Sequence, residues 1–180
     1  MGCLTMIDLE RLCELVLECG FTHTASLDPA TIEVRQEVRK MCATNSCGQY
    51  GKNWTCPPGC GDLQELEKRL RQYRTGLLIQ SVGEVEDSFD LDGMLEHRDL
   101  HKKRLQVLQR KVPDALLIGV GCCTQCSTCT YPDEPCRSPE KQIISMEAYG
   151  MVVSDVCRAN NLKYYYGPQT ISYTSCILIK

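Results

Sequence analysis

Nine of the fourteen cysteines in this 180-residue chain fall in two short stretches, four in 42–60 and five in 122–136. In the second, Cys123, Cys126, Cys129 and Cys136 read Cys-x2-Cys-x2-Cys-x6-Cys. Two residues between thiolates let a tight turn aim both sulfurs at one centre, and a third after the same interval continues the wrap. A Cys-x2-Cys-x2-Cys run completed by a distant cysteine is how ferredoxin-type loops hold a [4Fe–4S] cluster. Structural zinc more often takes two separated Cys-x2-Cys knuckles. Iron–sulfur is therefore the first reading, zinc the alternative, and a redox thiol or disulfide array the third. The first stretch, Cys42, Cys47, Cys56 and Cys60, reads Cys-x4-Cys-x8-Cys-Pro-Pro-x-Cys. Four thiols suffice there for a second cubane or for zinc. Pro57-Pro58 fixes the chain behind Cys56 and is able to turn Cys60 away. Tyr50 and Trp54 are candidate shields of this first site, or simply core residues.

The flanking residues admit blander roles. Cys122, beside Cys123 at a strand end, must point the opposite way and is expected to be small buried packing rather than a ligand. Pro135 orders the approach to Cys136. Arg137 either offsets cluster charge or pairs with a surface carboxylate. Cys3, Cys13, Cys19, Cys157 and Cys176 stand apart and are assigned no chemistry, since free cysteine behaves as a small hydrophobe. His97 and His101 lie four apart on a helical pattern, spacing that is able to hold a metal. His101, however, shares a stripe with Leu105 and Leu108, so one solvated and one hydrogen-bonded histidine is the simpler expectation. His23 reads as packing, and Tyr164 to Tyr166 as hairpin residues. Gly119-Val-Gly121 follows a strand, but Thr124 stands where a dinucleotide loop needs its third glycine.

A formal charge of −3 and a pI near 5.7 offer no basic surface for nucleic acid. No apolar run approaches the roughly 20 residues that span a bilayer. The start, MGCLTMIDLE, lacks a secretory pattern. Gly2 and Cys3 resemble a lipidated start, yet Met6 occupies the position where myristoylation wants Ser or Thr. A cytoplasmic location follows as the expectation, where clustered thiols mean metal or redox chemistry. The expected partner is a redox protein, with no nucleic acid and no membrane.

Something must hold two such loops. Thr5 is a plausible cap for a helix carrying Leu9, Leu12, Cys13 and Val16, stopped by Gly20. FTHTASLD alternates as a strand that Pro29 breaks, and Val34, Val38 and Met41 suggest a short helix leading to Cys42. Residues 42–61 are loop. Leu63, Leu66 and Leu70 share a helical face, TGLLIQSVG reads as a strand buried on both sides, and Leu91–Lys111 is the longest helical pattern. Pro113 ends it before the strand ALLIGVG. SMEAYGMVVSDVCRANN reads as a helix interrupted at Gly150, and KYYYGPQTISYTSCILIK as a C-terminal hairpin. The fold class is a mixed α+β arrangement, one domain over 1–180, with about five strands, flanking helices and two cysteine-rich metal loops.

CATNSCGQYGKNWTCPP, GVGCCTQCSTCTYPDEPCRSP and SMEAYGMVV together resemble a family of small cysteine-rich proteins. They are described as predicted metal-binding proteins, within a domain of unknown function common in anaerobic bacteria and archaea. The resemblance implies Cys42, Cys47 and Cys56 as ligands of one site, and Cys123, Cys126, Cys129 and Cys136 of the other. Cys60 and Cys122 fall outside the family pattern. It implies metal binding but no established reaction. The functional expectation is one or two [4Fe–4S]-type clusters serving electron transfer. The contrasting expectations are a zinc-stapled interaction protein, or a cluster enzyme whose three-cysteine site leaves an iron open to a small molecule. No GxSxG, Walker or paired-carboxylate pattern is present.

Overall fold

The computed structural model describes residues 8–180; the readings placed on Gly2, Cys3, Thr5 and Met6 lie outside them. The first helix, α1, runs Leu9–Glu18 and is capped by Asp8, whose side chain accepts from the Glu10 N–H. Its Leu12 and Val16 are buried. Strand β1, His23–Leu27, follows, and a 3-10 turn opens at Pro29, where proline's fixed φ suits a helical first position. Short helix α2, Gln36–Met41, delivers the chain to Cys42. After the first cysteine loop come α3, Leu63–Leu70, and β2, Thr75–Glu84. Helix α4 spans Leu91–Lys111, with the bounds the sequence pattern gives. Then come β3, Leu116–Gly119, the second cysteine loop, β4, Ile144–Ser145, α5, Val153–Ala159, and β5, Thr170–Ile179.

The five strands form one mixed sheet in the order β1-β2-β5-β3-β4, with only β3 and β4 parallel. The central strands are apolar on both faces because both are covered. Leu77, Ile79 and Ile177 face α1 and α4, packing on Leu12, Val16, Leu105 and Leu108. Leu78, Cys176 and Leu178 face the other way, onto Leu66 and Leu70 of α3 and Val156 of α5. The cysteine loops are mounted on this rigid sandwich, the first between α2 and α3 and the second at the end of β3.

Three local expectations are corrected. His23 is exposed, its ring tilted against Tyr166 at 4.9 Å, because β1 is an edge strand. The run expected to be helical from Ser145 is helical only from Val153. Before it, β4 passes into a single turn closed by Tyr149 N–H to Ser145 O, 3.1 Å, and Gly150 N–H to Glu147 O, 2.9 Å. Gly150 then takes φ +75° against α2, where a Cβ would meet the Arg35 carbonyl at 2.8 Å, so no helix can run through it. Finally, the chain end is one strand and not a hairpin. β5 pairs with β2 and β3, while the tyrosine run meets it through Ser172 Oγ donating to Tyr164 O at 2.8 Å.

His101 reaches from α4 to the sheet and is fully buried. Its Nδ1 lies 2.9 Å from Ser81 Oγ on β2 and its Nε2 2.8 Å from Ser175 Oγ on β5. His97 bonds separately to the Glu84 carbonyl at 2.9 Å, so the pair makes no joint site. Burial, helped by the Arg104 charge, holds the His101 pKa down at about 3. The folded chain keeps this imidazole neutral while the unfolded chain takes up a proton below about 6.5. Stability is therefore full above that value and lost as pH falls toward 3, by about 2 kcal/mol between pH 7 and pH 5. Denaturant unfolding of His101→Gln, compared with wild type at both pH values, is expected to lack that increment.

Candidate metal centres

The second loop is folded back on itself by its own hydrogen bonds. Glu134 N–H donates to Thr130 O at 3.0 Å, Thr130 Oγ1 to Pro135 O at 2.9 Å, and Arg137 Nη1 to Thr128 O at 3.1 Å. These bonds return Cys136 to the arc carrying Cys123, Cys126 and Cys129. The four line one small recess together with Trp54 and Arg137. Burial pushes the Cys123 thiol up, and the charges of Cys136, Cys126 and Cys129 act on it in the same direction. All are free thiols.

In the first loop, Cys42 opens a 3-10 turn, Cys47 is exposed, and Cys56 and Cys60 are buried. Burial pushes Cys56 up to about 11 against a hydrogen bond from Asn53, with Cys122, Cys47 and Cys60 adding to it. Cys42 is raised by burial and by Cys47, while Arg39 opposes. Cys60 is raised by burial with Arg39 again opposing, and Cys42 adding. The four sequence candidates of this loop thus share one neighbourhood, and Cys122 joins it. Cys122 is half-buried, lines a recess beside Lys102 and Cys123, and is near enough to Cys56 for its charge to act on it, so it is not the buried packing expected.

The loops are not independent. Thr55, fully buried, accepts from the Cys123 N–H at 2.9 Å and donates from the same hydroxyl to Asn53 Oδ1 at 2.9 Å. Trp54 Nε1–H donates to Glu134 O at 3.2 Å and its ring meets Tyr131 edge-on at 4.9 Å. Trp54 therefore covers the second site, not the first, and Tyr50 is 36 % exposed, so neither shields as expected. A Cβ at Gly59 would stand 2.7 Å from both the Asn53 carbonyl and the Tyr131 ring, so the loops close only around a glycine.

Two cations were not singled out by the sequence. Arg39 is 9 % exposed and Lys102 8 %, and neither has a carboxylate within ion-pair reach among the described residues. Arg39 donates to the Ala148 and Gly61 carbonyls beside Cys42 and Cys60. Lys102 donates to the Cys122 carbonyl; burial lowers its pKa, Arg98 acting the same way, while negative charge at Cys122, Asp99 and Cys123 opposes. Lys102 carried a faint signal, lying next to His101 and three residues before buried Leu105; Arg39 carried none. Arg137, exposed at the recess, bonds a carbonyl and not the surface carboxylate that was its alternative.

As the side chains stand, no three His, Cys, Asp or Glu among the described residues converge closely enough to hold one metal ion. Each thiol turns on a single side-chain torsion, and the donor set is all sulfur, which suits iron–sulfur clusters and zinc and disfavours hard cations. The family described as "Predicted metal-binding protein (DUF2284)" matches residues 25–179. The chain belongs to that family. The match takes in both loops and the whole sheet except the start of β1, so the metal binding predicted for the family falls on the fold described. No curated protein and no solved structure matches the chain. Among the described residues, no helix of this family member is long and apolar enough to cross a membrane.

Proposed function

We propose that the protein carries [4Fe–4S]-type clusters at one or both loops and exchanges single electrons with a partner protein. In this reading Cys123, Cys126, Cys129 and Cys136 hold the second centre, and Cys42, Cys47, Cys56 and Cys60 the first. The observation that carries an anionic thiolate centre is the pair of buried cations, Arg39 and Lys102, neither held in an ion pair among the described residues. A buried charge without a counter-charge is strongly destabilising, and thiolates bound to metal supply the missing negative charge. The Cys-x2-Cys-x2-Cys spacing supports iron over zinc. A bound cluster supplies reversible one-electron redox chemistry, at a potential set by surrounding charge, hydrogen bonds and solvent.

The chain's own residues do the rest. Arg39 and Lys102 favour the more negative state at each loop by their charge, and Trp54 keeps water from one side of the recess. Cys47 and Cys126 are exposed, leaving one thiol of each loop at the surface for contact with a docking redox protein. Purification without oxygen tests the reading. Brown protein with broad visible absorption that dithionite bleaches, and with matching iron and inorganic sulfide, is the expected result. Colourless protein carrying stoichiometric zinc would replace it with a zinc staple.

A further inference from the structure

Next to the second loop, the start of β3 and the 3-10 turn Pro139–Lys141 frame a recess of about 490 Å³, which shares Gln142 with the cysteine-lined one. That lies within the roughly 300–1,000 Å³ typical of small-molecule sites. Its wall is mixed. Leu116, Leu117 and Ile144 give an apolar side, while Arg69 from α3, Arg110 from α4 and Lys141 give three cations. None of the three is in an ion pair among the described residues. One carboxylate, Glu140, stands on the same wall.

The decisive residue is Tyr149. It lines the recess, is 1 % exposed, and its hydroxyl is the buried side-chain polar atom left without a hydrogen-bond partner among the described residues. Such orphans are rare in folded proteins and call for a partner. Arg69 and Cys60 are near enough for their charges to act on this hydroxyl. Burial drives its pKa up to about 12, so at neutral pH it is a donor waiting for an acceptor.

We propose that this recess binds a small organic anion, a carboxylate or phosphate ester, whose oxygens meet Arg69 and the Tyr149 hydroxyl and whose apolar part rests on Leu116, Leu117 and Ile144. Arg110 and Lys141 draw the anion in, and Glu140 limits its charge. No cysteine lines the recess, so the proposal does not depend on what the cysteine loops bind.

Phenyl phosphate and benzoate are the probes, with benzyl alcohol as the uncharged control and inorganic phosphate as the control without an apolar part. Titrated into the full-length protein as purified and followed by calorimetry, both organic anions are expected to saturate, more tightly than inorganic phosphate, with benzyl alcohol silent. Arg69→Ala, at an exposed position that tolerates truncation, should weaken binding by about tenfold or more, and Tyr149→Phe by about tenfold, the worth of one hydrogen bond to a charged group. Glu140→Gln should tighten it, and Arg158→Ala, on α5, should leave it unchanged. Tyr149→Phe should also be no less stable than wild type without ligand, since it removes an unsatisfied group. Equal binding by wild type, Arg69→Ala and Tyr149→Phe would overturn the proposal, as would the absence of saturation or a loss of stability in unliganded Tyr149→Phe.

Discussion

Replacing Cys126 and Cys129 together by alanine is expected to remove the second centre whole, dropping iron and inorganic sulfide by about half if each loop holds one cluster. Two ligands lost from four leave no cage, and neither side chain belongs to either apolar cluster, so the sandwich survives. Far-ultraviolet circular dichroism should be unchanged while metal and sulfide analysis falls. Cys13→Ala is the matched control. Its thiol lies on α1 against Thr24 Oγ1, 3.0 Å away, and its loss should cost no metal. A double variant that keeps its full complement of metal and sulfide would end the assignment of this loop.

The second large effect concerns the buried cations. Chelating the metal lets the thiols reprotonate, because burial already raises Cys42, Cys56, Cys60 and Cys123. Arg39 is then left with carbonyl partners alone, and Lys102 with a carbonyl and the more distant Asp99 carboxylate. A stranded buried charge costs roughly 3–5 kcal/mol. At about 2–4 °C per kcal/mol for a chain of this size, the midpoint of thermal unfolding should fall by roughly 10 °C per cation. Lys102→Met turns this into a test of sign. It should destabilise the metal-loaded protein, which loses a counter-charge, and stabilise the stripped protein, which loses an uncompensated one. The same sign in both states would mean that no anionic centre stands opposite Lys102.

What could be read from residues alone was what depends on local pattern. Helix α4 was legible to its bounds because a long helical stripe and Pro113 agree. Strand β2 was legible because Leu77, Leu78 and Ile79 leave no solvent face. The four thiols of the second recess followed from their spacing. The rest depended on contacts far apart in sequence. Met146 to Gly150 carry helix-forming residues, yet the approach of Arg35 to Gly150 forces a turn. The C-terminal tyrosines have strand character, but β5 finds better partners in β2 and β3. Trp54 sits in the first cysteine stretch and covers the second, because Thr55 ties the loops together. Arg39 and Lys102 look like any surface cation until the fold buries them.

Gly59 has a consequence for how such a chain can vary. Any side chain there would collide with the ring of Tyr131 seventy-two positions later, so the two sites are free to drift only as a coupled pair. A homologous sequence bearing alanine at the first should carry a slimmer residue at the second and a shifted backbone at Asn53.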